Sequence, residues 1–152
     1  MKAILTLAAT AVIGLSATAM AADFAPAVVY DTTGKFDKSF NESAFNGAQR
    51  WADETGGSYA EVEIQSDAQR EQAIRRFAET GANPIVMAGF AWASALGEVA
   101  GDYPDTKFQI IDMVVDAPNV RSVVFAEEQG SYLVGMLAAM ASESGTVGFI
   151  GG

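Results

Sequence analysis

Asp31, Asp37, Ser39, Phe40 and Asn41 place carboxylates, a hydroxyl, an aromatic ring and a carboxamide within one short stretch of chain. Carboxylates accept hydrogen bonds from vicinal hydroxyls, a ring stacks on a base or sugar face, and a carboxamide pairs with a base edge. Such a set can hold a small polar ligand without making or breaking a bond. Bond-making chemistry has little support. The chain contains no histidine and no cysteine, which removes the commonest general base, the thiolate nucleophile and the usual zinc ligands. Ser39 therefore lacks a histidine to activate it, and no S-x-x-K pattern supplies a lysine. Asp31 and Asp112 form a carboxylate pair without the pattern of a glycosidase. No D-x-D-x-D-G run offers a calcium loop. No catalytic residue, metal site or cofactor is expected.

Charge narrows the ligand further. The formal net charge is −10, so attraction to nucleic acid or to an anionic membrane surface is weak. Neither G-x-G-x-x-G nor G-x-x-x-x-G-K-[ST] follows the first strand pattern, which disfavours phosphate-bearing nucleotides. A neutral polyol or nucleoside suits an acidic mouth better.

These residues need a frame. Residues 1–21 read as a secretory signal peptide: Lys2, an apolar run from Ala3 to Ala17, then the A-x-A site Ala19-Met20-Ala21. An exported, periplasmic protein without direct membrane insertion is expected, since no later run reaches spanning length and no cysteine is present to carry a lipid anchor. Residues 22–152 then alternate strand and helix patterns. Strands are predicted at Ala25–Tyr30, Tyr59–Ile64, Pro84–Ala88, Lys107–Asp112, Val120–Ala126 and Thr146–Ile150.

The intervening helices should present Phe40, Ala44, Ala48 and Trp51 on the first, and Ala73, Ile74 and Phe77 on the second. The third covers Trp92–Ala100. The last should turn Leu133, Val134, Leu137 and Met140 inward, with Met136 and Met140 in the core. Ser39 with Glu42 and Ser66 with Gln69 read as capping boxes. The fold class is α/β, a mostly parallel sheet with helices on both faces. Ligands bind such sheets at the strands' carboxyl ends: Asp31, Gln65-Ser66-Asp67, Ala88-Gly89-Phe90, Asp112 and Glu127.

Each candidate has a plainer role available. Phe40 lies on the apolar face of its helix and could be core. Asn41 could be solvated, Asp37 and Ser39 could be helix caps, and Asp31 and Asp112 turn residues. Phe90 could simply cover the sheet edge.

Asp37-Lys38-Ser39-Phe40-Asn41 with Gly47 resembles the DKSFN…G signature of the basic membrane protein family, purine-nucleoside receptors of ABC transporters. Ile110-Ile111-Asp112 with Val115-Asp116, Asn119–Phe125, Glu128–Ala139 and Val147–Gly152 match in order over nearly the whole of residues 22–152. The resemblance implies one flavodoxin-like, Rossmann-like lobe of a type I periplasmic binding protein, with nucleoside held between two lobes and a permease as partner. It implies that Phe40 stacks on the base, Asn41 and Asp31 bond its edge, Asp112 grips ribose hydroxyls, and Gly89 and Phe90 border the cleft beside Ser39. It also implies a second lobe, so residues 22–152 are expected to be the N-terminal lobe of a longer protein, with an exposed interlobe surface prone to self-association. The alternatives are a receptor for a sugar or another small polar metabolite, a carboxylate-based enzyme, and a ligand-free interaction fragment.

Overall fold

A computed structural model describes residues 24–150. Residues 1–23, where a signal peptide is expected, and Gly151-Gly152 lie outside the described residues.

Five short strands form one sheet in the order β2-β1-β3-β4-β5: β1 (Ala27–Tyr30), β2 (Ala60–Glu63), β3 (Ile85–Met87), β4 (Phe108–Ile111) and β5 (Val120–Val123). Every pairing is parallel, with Val28 opposite both Glu61 and Val86, and Ile110 opposite both Met87 and Ser122. All four residues of β1 are buried, as expected of an inner parallel strand covered on both faces. The α/β class with a parallel sheet is as read from the sequence.

Helix α1 (Phe40–Thr55) follows β1, α2 (Arg70–Glu79) follows β2, α3 (Ala93–Val99) follows β3, and α4 (Glu127–Ala141) follows β5. The chain moves outward from β1 to β2 and then back across β1 to β3. Right-handed crossovers therefore place α1 on one face and α2 and α3 on the other. The main core forms on the second face. Ala27, Val29, Ile85, Met87, Phe108 and Ile110 from alternate strand positions pack on Ile74, Ala78, Trp92, Leu96 and Val99.

Local signals explain most boundaries. Gly56 closes α1 in the left-handed region at φ 71° and donates its N–H to the Ala52 carbonyl, a conformation that a Cβ would oppose. Gln69 Oε1 accepts from the N–H groups of Ser66 and Gln65 at 3.2 and 2.7 Å, as the S-x-x-Q pattern predicts.

Three expectations are corrected. Ser39 makes no side-chain cap on α1. Asp37 takes the job, its Oδ1 accepting from the N–H groups of Ser39 (2.8 Å) and Glu42 (3.1 Å) and its Oδ2 from Asn41 (3.3 Å). Helix α4 does not bury its apolar residues. Leu133, Val134 and Leu137 are about two-thirds exposed, Met136 is 46% exposed and Met140 80%, because neither sheet face reaches them. Thr146–Ile150 forms no strand. Its exposed residues have no strand beside them to complete a ladder, and an apolar run cannot become a strand without one. Among the described residues, no helix is long and apolar enough to cross a membrane.

Candidate functional site

The strand order reverses between β1 and β3, which opens a crevice at their carboxyl ends. A recess of about 410 Å³ sits there, lined by Asp31, Thr33, Asp37, Ser39, Phe40, Asn41, Ala88, Gly89, Phe90 and Asp112. Hollows of similar volume exist elsewhere on the surface, so size alone singles out none. Position and lining do. Of the strand-end and loop residues singled out from the sequence, Asp31, Ser39, Phe40, Asn41, Gly89, Phe90 and Asp112 border this one recess, while Gln65, Ser66, Asp67 and Glu127 do not line it. Among the described residues, no basic side chain lines it.

The aromatic rings are available. Phe40 is 42% exposed and Phe90 61%, so neither is core. Phe40 meets Phe125 edge-on, ring centroids 6.4 Å apart, which leaves a face of each ring unpaired in that contact.

Asn41 behaves differently. It is 1% exposed, and its Nδ2 donates to the carbonyls of Asp31 (3.2 Å) and Gly34 (3.0 Å) and to Thr33 Oγ1 (3.0 Å). Its Oδ1 accepts the Asp31 N–H at 3.0 Å. Two amide hydrogens facing three acceptors leave none for a ligand. Asn41 therefore ties the β1–α1 loop into its curve.

The same loop is stitched at its other side to the outer strand. The Lys35 N–H donates to Glu63 Oε2 at 2.8 Å, and Lys35 Nζ pairs with Glu61. That ammonium also lies over the rings of Phe45 and Phe36, 4.8 and 5.4 Å from their centroids.

Electrostatics differ among the carboxylates. Partial burial pushes Asp37 up, but three backbone N–H groups and the Thr33 hydroxyl outweigh it and hold the carboxyl below its usual range. Asp112 moves the other way. Burial and then the facing Glu127 carboxyl, through hydrogen bonding and like charge, raise it. Asp112 also sits at φ 75°, in the left-handed region that Asp tolerates better than most residues. Gly89 stands at φ 102°, ψ 157°, a region essentially confined to glycine.

Sequence reasoning passed over Arg70, the first residue of α2. It is 8% exposed and reaches Asp31 Oδ1 with Nη2 at 2.7 Å and Asp67 Oδ1 with the same nitrogen at 2.8 Å. The available signal was its spacing, since Arg70 shares the buried side of the helix with Ile74 and Ala78 at i+4 steps.

Residues 25–152 match the Bmp family, described as "ABC transporter substrate-binding protein PnrA-like". The chain is 33% identical over 135 residues to a protein of Lactococcus lactis named "ABC transporter nucleoside-binding protein BmpA", covering 86% of this chain and 38% of that one. An uncharacterized lipoprotein of Pyrococcus furiosus is 36% identical over 135 residues, covering 83% of this chain and 33% of its own. A crystal structure of ABC transporter system solute-binding proteins from Aeropyrum pernix superposes with a TM-score of 0.71 at 35% identity, covering 76% of this chain and 32% of that one. The match thus spans about a third of the length of these relatives. A relative named as a lipoprotein runs against carrying an unanchored state across the whole group. With the family match running over residues 25–152 and the fold shared with a solute-binding structure at 35% identity, the chain belongs to the PnrA-like family of ABC transporter substrate-binding proteins.

Proposed function

We propose that this chain forms the ligand-capturing lobe of a periplasmic receptor for an ABC importer, and that its recess takes a nucleoside, a purine one in the first instance, by non-covalent contacts. One observation carries the reading. Exposed phenyl rings and acceptor carboxylates share a single recess at the sheet's switch point, with no basic side chain among the described residues that line it. Stacking on Phe40 suits the flat face of a base. Asp31 and Asp112 suit N–H and hydroxyl donors, and the acidic lining disfavours a phosphate. The name of the Lactococcus relative supports a nucleoside in particular.

The geometry favours a scaffolding role for Asn41 over the direct base contact that the resemblance implies, because its amide is spent on the loop. Gly89 lets backbone approach the ligand, whereas Ser39, whose N–H and carbonyl are taken by Asp37 and Ser43, has its hydroxyl to offer. Opposing contacts would come from a second lobe closing over the recess, since such clefts exclude water only when closed. The permease is the partner in this scheme, and the protein promotes no reaction.

Amide NMR of the 152-residue chain, titrated with adenosine, guanosine, inosine, free ribose and AMP at millimolar concentration, tests the proposal. Shifts at Asp31, Phe40, Gly89 and Asp112 with the nucleosides, and weaker ones with AMP, are expected. Shifts with a sugar but with no nucleoside would overturn it.

A further inference from the structure

Arg70 is an expensive residue where it stands. A guanidinium at the amino end of a helix opposes the helix dipole, and burying it costs solvation. Two carboxylates and an aromatic ring offset this. Nη2 is shared between Asp31 and Asp67, and the guanidinium carbon lies 4.9 Å from the centroid of the fully buried Trp92 ring. Nη1 is buried and has no hydrogen-bond partner among the described residues. A well-packed apolar side chain would serve stability as well or better. What an apolar side chain would not do is hold Asp31.

Asp31 borders the recess, whereas Arg70 lines a separate hollow with Asp67, Glu71 and Ser94. Arg70 thus lies behind the carboxylate, out of the ligand's reach. It takes Oδ1, which also accepts the Thr32 N–H. Oδ2 has no partner among the described residues. The peptide groups on either side of the Asp31 Cα are already gripped by Asn41; the side-chain torsion is left to the Thr32 N–H and to Arg70, of which only Arg70 holds it from outside the loop.

We infer that Arg70 is a positioning residue that fixes the Asp31 carboxylate in one rotamer, with a single oxygen presented to the recess, and thereby selects ligands that offer an N–H or O–H donor at that point. This rests on the nucleoside reading above for the kind of ligand. A carboxylate accepts and cannot donate, so a base whose edge offers only acceptors meets repulsion there. Adenosine and inosine each carry a donor on the pyrimidine-ring edge. Purine riboside, lacking the exocyclic group and the ring N–H, does not.

The test compares the unsubstituted chain with R70M and R70K by two measurements. The first is the ratio of inosine and adenosine affinity to purine-riboside affinity. A charge-assisted hydrogen bond predicts a preference of about tenfold or more for the donor ligands. R70M should lose most of that preference while purine riboside binds nearly as before. A purely structural role would weaken all three ligands together. The second measurement needs no ligand: NMR couplings about the Asp31 Cα–Cβ bond should report one rotamer in the unsubstituted chain and averaging in R70M.

Should R70M fail to fold, R70K carries both measurements. It keeps the charge but not the planar group over Trp92, and is expected to fall between the other two. An unchanged ligand ratio with an Asp31 rotamer as fixed as in the unsubstituted chain overturns the inference. If the unsubstituted chain binds no nucleoside, the reading of the previous subsection falls, and the rotamer measurement still decides the role of Arg70.

Discussion

Asn41 holds Asp31 from both sides of its Cα, accepting the Asp31 N–H at 3.0 Å on Oδ1 and donating to the Asp31 carbonyl at 3.2 Å from Nδ2. One buried carboxamide thereby replaces the ladder bonds that β1 loses on leaving the sheet. Replacing Asn41 with alanine strands buried polar groups of Asp31 and Gly34 and should destabilise the chain by about 2–4 kcal/mol. Urea denaturation measures this, and a loss under about 0.5 kcal/mol would show that the clamp is dispensable.

Asp37 caps α1 with both oxygens, and D37A should cost about 1–2 kcal/mol. Its carboxyl lies below the usual range in the folded chain, so its contribution is complete above the ordinary carboxylate value of about 3.9 and is lost as pH falls through the lower folded value. Stability curves of the unsubstituted chain and D37A should converge on acidification. Parallel curves down to pH 2 would count against the cap.

Asp112 has the opposite sign. Burial and Glu127 raise it, so the folded chain favours the protonated form, and the charge penalises folding as pH rises past the ordinary value. D112N, which keeps a residue tolerant of φ 75°, should stabilise the chain at neutral pH. The gain should stay well under about 1 kcal/mol because the group is partly solvated. It should vanish in acid. Thermal melts at pH 3 and pH 7 check the crossover, and a D112N chain less stable at neutral pH would refute it.

Phe40 is half exposed and contributes little to the core. F40A should cost under about 1 kcal/mol in stability while weakening nucleoside binding by about tenfold or more, in line with a lost stacking platform. A stability loss without a change in affinity would return Phe40 to a packing role.

Gly89 cannot take a side chain cheaply at φ 102°. G89A should cost about 1–3 kcal/mol, although no atom lies within 4 Å of the position a Cβ would occupy. A neutral G89A would mean that the β3–α3 turn relaxes without loss.

Much of this was legible because period and punctuation agree. The buried runs at β1, β3 and β4, the glycine after α1 and the Ser66–Gln69 pattern all point the same way locally and globally. Helix α4 shows where that logic stops. Leu133, Val134, Leu137 and Met140 recur at helical spacing in a helix that is apolar nearly all round, and the helix is present, but such a run records only that it wants burial and not which surface supplies it. Ser39 failed for a nearby reason. Asp37 lies two residues earlier with a stronger acceptor, and competition between two capable caps is settled by backbone geometry. Arg70 and Asp31 are thirty-nine positions apart, a contact that strand order creates and local sequence does not announce.

The stitching of Lys35 to Glu61 and Glu63 ties the loop beside the recess to β2, the outermost strand on its side of the sheet. Edge strands open more readily than inner ones, and amide exchange reports such openings as cooperative units. The Lys35 amide should therefore exchange in step with β2 rather than with the protected β1 next to it in sequence. The lifetime of the formed recess is then governed by fraying at an edge that does not line it, and solvent-side changes at Glu61 or Glu63 become a way to alter how long the recess stays assembled without altering its shape.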